Sequence, residues 1–233
     1  MEFQEFNLHP IIAASIKEAG YVTPTPIQQG GGSSVRGDAA VRAVGSTRNA
    51  VVRGVGAVQA AAAALDAVDA VCAKGEGVPA RRVLRNAEVP VDQARAALRT
   101  LPTQLSAYAA ALAALEPVAR TLVPAEGQAL AGVTSSGRTE VAAGRAFIRE
   151  ASSAWPAYAR LARDEATWVH RAVTPWYRTR TEGASAYVVL ISDRRPALAQ
   201  ARARLAAAAA ALQPVMLAQQ KVLDAADRVL RQP

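Results

Sequence analysis

The residues best suited to chemistry lie close together in the last third of the chain, where aromatic rings alternate with arginines. They are Trp168, Arg171, Trp176, Arg178 and Arg180, with Arg194 and Arg195 a short distance further on. Rings interleaved with guanidinium groups can stack on unpaired bases and bind phosphates, or they can bind an anionic membrane surface. They can equally be structural, with the rings packed in a helical core and the arginines facing water near a helix C-terminus. The sequence leaves both interpretations open.

Residue types that support catalysis or metal binding are sparse. The only histidines are His9 and His170, and the sequence lacks the Glu-x-x-His pair that di-iron helical bundles use. His170 follows Glu165 by five residues, a spacing that puts the two side chains on different faces of a helix. Cys72 is the only cysteine, which excludes an internal disulfide and a multi-cysteine metal site. We therefore predict a protein without enzymatic activity, catalytic residues, metal or resident cofactor.

The composition predicts an all-α protein. Of the 233 residues, 56 are alanine and only 5% are aromatic. Alanine is the strongest helix former, and its small side chain lets helices approach one another closely. The net charge of +8 comes from 24 arginines and three lysines, which are spread along the chain and not clustered. Such a charge is compatible with nucleic acid, anionic membrane or acidic protein partners and selects none of them.

Apolar residues repeat every seven positions in several segments, which is the pattern of packed helices. One such series ends at the cysteine, a second is rich in leucine, and a third runs towards the C-terminus. Their members are Val44, Val51, Val58, Leu65 and Cys72; then Leu98, Leu105 and Leu112 alternating with Leu101, Tyr108, Leu115 and Leu122; then Leu198, Leu205, Leu212, Gln219 and Ala226. These series predict an antiparallel bundle of about four long, proline-kinked helices preceded by a short helical leader.

The central helix of that bundle is predicted at residues 147–177, which contain six of the eleven aromatic residues. Its proposed apolar stripe consists of Phe147, Ala151, Trp155, Tyr158, Ala162, Ala166, Val169 and Val173. Residues 78–92, with Pro79 and Pro90, are predicted to form a connector, and Pro102 to break or restart the helix after it. Residues 187–191 resemble a strand in composition but lack a second strand to pair with, so they are predicted to be a buried helical turn.

The first 29 residues have a different composition and carry a recognisable pattern. That pattern is Phe3-x-x-Phe6-x-Leu8, followed by Gly20-Tyr21-Val22-Thr23-Pro24-Thr25-Pro26-Ile27-Gln28. It resembles the Q motif that opens DEAD-box RNA helicases. The resemblance implies that Phe3 lies against adenine and that Gln28 pairs with the adenine edge, since an amide can both donate to and accept from that edge.

The helicase resemblance stops after Gln28. The residues expected to follow, a Gly-Lys-Thr phosphate loop and an Asp-Glu-Ala-Asp box, are matched only by imperfect echoes at 134–139 and 164–167. The first echo comes too late in the chain, and the second lies inside a helical stripe. Without a phosphate loop we expect no ATPase activity, and a non-catalytic remnant of such a helicase is one alternative function.

These observations divide the chain into three parts. We predict a helicase-like leader at 1–29, a Gly/Ser-rich linker at 30–37 and an alanine-rich helical bundle at 38–233. The break in composition suggests a chimera, and a natural glycine loop within one gene is the alternative. We expect no signal peptide and no membrane span, hence a cytoplasmic protein, or an exported one if its native N-terminus has been replaced.

The function predicted from this organisation is non-enzymatic. We expect an interaction, scaffold or sensor domain that acts through its helical surface on a protein partner or on a second copy of itself. The alternative from another class is a nucleic-acid-binding module that uses the arginine- and tryptophan-rich residues between 168 and 195.

Overall fold

The computed structural model describes residues 26–173 and 180–231, with side chains described for 35–173 and 181–231. Five helices account for nearly all of these residues, and no strand occurs among them. The helices are α1 (Pro26–Cys72), α2 (Gly77–Ala119), α3 (Pro124–Val173), α4 (Arg180–Ile191) and α5 (Arg195–Leu230). The prediction of an all-α fold with long helices is confirmed.

The turn between α1 and α2 forms where the sequence predicts a stop. Gly75 adopts a φ of 72°, a left-handed conformation that glycine reaches without a Cβ clash. Its amide donates to the carbonyl of Cys72 at 2.9 Å, which satisfies one of the unpaired carbonyls at the end of α1. The turn therefore closes α1 at the last position of its heptad series.

The chain forms two compact units, and the long helices contribute to both. Of the described residues, unit 1 contains those up to Ser46, Ala109–Arg138 and those from Ala218 onward; unit 2 contains those within Thr47–Tyr108 and Thr139–Leu217. In unit 2, Gly54 of α1 lies against Leu101 of α2, whereas Val68 and Ala87 share a core cluster. Residues later in α1 therefore pack against residues earlier in α2, so these two helices are antiparallel within the unit.

The heptad series on α1 and α5 form the core as predicted. On α1, Val44, Val58, Leu65 and Cys72 are fully buried and Val51 nearly so. On α5, the five predicted seam positions from Leu198 to Ala226 are all buried. Side chains at seven-residue spacing are buried together because that spacing keeps them on one face of each helix.

Helix α2 corrects the prediction of a connector at 78–92. It runs unbroken from Gly77 to Ala119, passing through Pro90 and Pro102. The helix continues through this segment because its buried seam begins with alanines, before the first leucine of the predicted series. Its members are Ala80, Ala87, Ala94, Leu101, Tyr108 and Leu115, each seven residues after the last and each buried. Packing along this seam outweighs the backbone hydrogen bonds that the prolines cannot make.

Helix α3 corrects the predicted apolar stripe. Phe147, Ala151 and Tyr158 are buried as expected, but Ala166 and Val173 are exposed. The buried face instead follows 147, 154, 161 and 168 together with 151, 158 and 165. The predicted stripe departs from this face because it avoids position 165. That position is in the core but is occupied by Glu165, and an acidic residue is not expected there.

Residues 187–191 belong to α4, so the prediction that they are helical is confirmed, but the prediction that they are buried holds for only part of the segment. Tyr187 and Ile191 are buried, while Val188 and Val189 between them are exposed. Helix α1 also includes residues 30–37, which the sequence predicts to be a flexible linker. Of the leader predicted at 1–29, residues 26–29 belong to α1 and residues 1–25 lie outside the described residues, so its separation from the bundle stays a prediction.

The part of α1 from Val35 to Cys72 is long and apolar enough to cross a bilayer by length and composition alone. The expectation from the sequence is that no stretch is long and apolar enough. A core helix of a folded protein can meet the same criterion. The valines at 44, 51, 55 and 58 are buried, and 39% of the most apolar part of this segment is buried.

Candidate functional site

Trp168, the first residue of the predicted nucleic-acid-binding group, lies in the core of unit 2. Only 1% of its surface is exposed, and its Nε1–H donates to the carbonyl of Gly183 at 2.6 Å. Its ring meets that of Tyr187 edge-on, with 5.6 Å between centroids and an interplanar angle of 72°. A ring held in this way cannot stack on a base, so the prediction is wrong for Trp168.

The three arginines of that group whose side chains the structure describes do not form a cluster of free guanidinium groups. Arg194 forms an ion pair with Asp164, and Arg195 lies over the Tyr187 ring at 5.9 Å from its centroid. Arg171 is exposed and has interactions of its own. Trp176, Arg178 and the side chain of Arg180 lie outside the described residues, as do Phe3 and the side chain of Gln28.

A buried polar network, missed by the sequence analysis, surrounds Tyr187 in unit 2. The Tyr187 hydroxyl donates to Asp69 of α1 and lies 3.4 Å from Glu165 Oε1 of α3. Arg202 of α5 binds Asp69 Oδ2 at 2.9 Å and Asp66 Oδ1 at 2.6 Å. The network therefore joins four helices around one tyrosine.

Glu165 is the least expected member of the network, because it is fully buried. Burial, together with the negative charge of Asp69, raises the pKa of Glu165 to about 9. The Tyr187 hydroxyl has one proton, which it donates in a hydrogen bond to Asp69, the closer of the two carboxylates. A neutral Glu165 can then donate its own proton to the phenolic oxygen, so protonation lets all three groups share hydrogen bonds.

A second buried network lies elsewhere in unit 2 and centres on Arg48 of α1. Its Nε donates to both carboxylate oxygens of Glu140 of α3, at 3.1 and 3.0 Å. The Tyr108 hydroxyl of α2 donates to Glu140 at 2.8 Å, and Arg48 Nη2 donates to the Met216 carbonyl of α5 at 2.5 Å. These hydrogen bonds join residues of α1, α2, α3 and α5, so the network holds these helices in position.

The open features of unit 2 are grooves between helices. One groove of about 340 Å³ lies among α1, α2 and α3 and is called here the α1–α3 groove. Its floor and walls are apolar, and its rim carries Glu88, Arg95 and Arg163. The apolar lining residues are Leu65, Leu84, Ala87, Val91, Ala159, Ala162 and Ala166. Its small alanines leave room between helices that larger residues would fill.

The rim arginines differ in their pairing. Arg95 forms an exposed ion pair with Asp92 on its own helix, at 2.9 Å. Arg163 is exposed and makes no ion pair with another described residue. Within the described residues, no group of three or more His, Cys, Asp or Glu side chains is arranged to hold a metal ion. The groove is thus suited to a bound molecule that has apolar groups for its lining and a negative charge near Arg163.

Comparisons with family models, with curated proteins and with solved structures yield no match for this chain.

Proposed function

We propose that this chain is a non-enzymatic interaction protein that binds an amphipathic, acidic helix of a protein partner in the α1–α3 groove. The observation that carries the proposal is the combination of an apolar floor with arginines at the rim. An amphipathic helix places apolar side chains in such a groove and its charged side chains along the edge.

Charge complementarity specifies the kind of partner. The chain carries a net charge of +8, and Arg163 at the rim has no acidic partner among the described residues. Acidic residues flanking an apolar anchor would therefore be steered towards the groove and oriented within it. A groove lined by alanine and leucine supplies the desolvated centre that such anchors need.

The arrangement of the buried ionisable groups agrees with a binding role. Glu165 and Glu140 are enclosed within the core and hydrogen-bonded to other side chains. Neither residue lines the α1–α3 groove. Groups in these positions stabilise the helices that form the groove walls and do not reach a bound molecule.

Fluorescence polarisation with a synthetic helix tests this proposal. The probe is a labelled peptide with leucines on one helical face and glutamates beside them; a peptide of equal composition with dispersed leucines is its control. We expect saturable binding of the first peptide only. Ala162→Phe fills the groove and Arg163→Glu reverses the rim charge, so each should weaken binding by about tenfold or more.

The control variant is Arg53→Glu, which makes the same charge change at an exposed position of α1 away from the groove. Light scattering of the unmixed protein distinguishes a second copy of this chain as the occupant, because self-association would show as a dimer mass. Equal affinity for both peptides, or equal weakening by Arg53→Glu, would exclude the proposed site.

The nucleic-acid alternative has one supporting observation outside the original group. Arg81, Arg82 and Arg85 are exposed near the start of α2, and Arg81 lines a groove with His170 of α3. Arginines of this kind bind phosphates without reading sequence. Binding of single-stranded RNA that falls steeply with salt, and is lost in the triple Arg→Gln variant, would favour it. RNA binding that does not depend on salt, or no RNA binding, would rule out the nucleic-acid alternative.

A further inference from the structure

A second groove in unit 2 lies between α3 and α5 and is called here the α3–α5 groove. It has a volume of about 260 Å³ and is lined by Arg160, Arg194 and Arg204, without any aspartate or glutamate. The other lining residues are mostly alanines, with the Ser153 hydroxyl and the Gln200 amide as neutral polar groups. Guanidinium groups therefore set the electrostatic character of this groove.

Two of the three guanidinium groups are available for a ligand. Arg160 and Arg204 are exposed and make no ion pair with another described residue. Arginine stays protonated at any physiological pH and offers five N–H donors in a planar fork. Two such forks at one groove, without a carboxylate between them, provide an unbalanced positive charge.

The third guanidinium is held in place. Arg194 Nη1 forms an ion pair with Asp164 and lies 3.5 Å from the carbonyl of Leu190. Its Nε is buried and has no hydrogen-bond partner. A buried N–H without a partner is costly, and the ion pair with Asp164 fixes the orientation of the guanidinium group. The Arg194 side chain is still 32% exposed and lines the groove, so it is an oriented positive charge at this site.

The surrounding backbone favours the same kind of ligand. The groove reaches Ala197 in the first turn of α5, where the helix dipole stabilises negative charge. Pro156 lies in the opposite wall, inside α3. A proline within a helix clashes with the preceding turn and prevents close packing there, which gives a physical reason for the space at this level.

We propose that the α3–α5 groove is a binding site for a small oxyanion-bearing ligand, whose phosphate or carboxylate group is held by Arg160, Arg194 and Arg204. Arginine binds both groups through paired N–H donors, which fixes their orientation as well as their charge. The volume admits a small ligand and not a large cofactor. The site is separate from the α1–α3 groove and does not depend on the function proposed for it.

Calorimetric titration of the full chain tests the site. The probes are inorganic phosphate, pyrophosphate and citrate, each added at constant ionic strength maintained with sodium chloride. We expect saturable binding of at least one probe, and the preferred probe tells a phosphate ligand from a carboxylate ligand. The double variant Arg160→Gln/Arg204→Gln should weaken that binding by about tenfold or more.

A matched double variant controls for net charge. Arg53→Gln/Arg145→Gln removes the same charge from exposed positions that do not line the groove, and its affinity should equal that of the unchanged protein. Absence of saturable binding for all three probes, or equal weakening in the two double variants, would overturn the proposal.

A third variant keeps every arginine and still blocks the site. Ala197→Glu introduces a carboxylate at the groove, where it competes with the ligand for the guanidinium groups. Glutamate in the first turn of a helix is favourable, so the melting temperature should not fall. Loss of binding at unchanged melting temperature supports the site, whereas binding equal to that of the unchanged protein places the ligand elsewhere.

Discussion

The hydroxyl of Tyr187 on α4 donates a hydrogen bond to the carboxylate of Asp69 on α1, 118 residues earlier in the chain. Asp69 is also bound by Arg202 of α5, and the Tyr187 hydroxyl lies beside Glu165 of α3. The phenol thus attaches the short helix α4 to α1 and α3 directly, and to α5 through Asp69. This arrangement makes the stability of unit 2 sensitive to the protonation of Glu165.

Stability should fall as pH rises between about 5 and 9, and Glu165→Gln should remove that component. Burial beside Asp69 raises the pKa of Glu165 from 4.5 to about 9 in the folded chain. Between these values the folded state binds one proton more than the unfolded state, so each pH unit lowers the free energy of unfolding by up to about 1 kcal/mol. Above pH 9 this component levels off, because both states are ionised.

Chemical denaturation at several pH values measures this slope. Glu88→Gln is the control, since Glu88 is exposed and should not alter the pH dependence. The same slope in the Glu165→Gln variant as in the unchanged protein would show that Glu165 is not held neutral by the fold.

Breaking the buried ion pair between Arg48 and Glu140 should destabilise the protein strongly. Both side chains are 6% exposed, and the two groups approach to 3.0 Å. Arg48→Met leaves the carboxylate of Glu140 buried without its positive partner, a change that typically costs about 3–5 kcal/mol. The double variant Arg48→Met/Glu140→Gln removes both charges and should recover part of the loss. Urea denaturation measures both, and a loss below about 1 kcal/mol in the single variant would contradict the buried pairing.

Two glycines of α1 should respond oppositely to alanine. A Cβ at Gly54 would lie 2.7 Å from Leu101 Cδ2 and 2.9 Å from its Cγ, whereas a Cβ at Gly56 would meet nothing within 4 Å. Gly54→Ala should therefore destabilise by about 1–3 kcal/mol through overpacking. Gly56→Ala should stabilise by about 0.5–1 kcal/mol, because alanine restricts the unfolded chain and favours the helix. Equal melting temperatures for the two variants would show that α1 and α2 do not approach closely at Leu101.

The thiol of Cys72 should be unreactive in the folded protein. It is fully buried at the last core position of α1, as the heptad spacing predicts. Burial raises its pKa well above the usual range, as do the negative charge of Asp69 and that of Glu165 once it ionises at high pH, and this suppresses the reactive thiolate. Ellman's reagent should label it only at the rate of unfolding and rapidly in denaturant. Fast labelling under native conditions would place Cys72 at the surface.

The sequence predicts the helices and much of the core because large apolar residues mark both. It fails on α2, where Ala80, Ala87 and Ala94 continue the seam: alanine occurs on every face of these helices and carries little periodic signal. The spacing of seven from Ala80 to Leu115 is nonetheless visible in the sequence. An analysis that tests alanine positions for this spacing would have detected the full length of α2.

The candidate sites are less predictable than the fold. The sequence leaves open whether Trp168 binds a ligand or packs in the core, and its burial and its contacts with Gly183 and Tyr187 show that it is a core residue. Glu165 is missed because an acidic residue is not expected at a core position. The two grooves arise where small residues on separate helices meet in space, and no local sequence pattern marks such a place.

Hydrogen–deuterium exchange of the full chain, with and without the leucine–glutamate peptide, tests the proposed function most directly. We expect the peptide to slow exchange at residues 84–95 of α2 and 159–166 of α3, which contain most of the α1–α3 groove lining. The Ala162→Phe variant should lose this protection while keeping its exchange pattern in the absence of peptide. Protection confined to other segments, or equal protection in the variant, would contradict the assignment of this groove as the partner-binding surface.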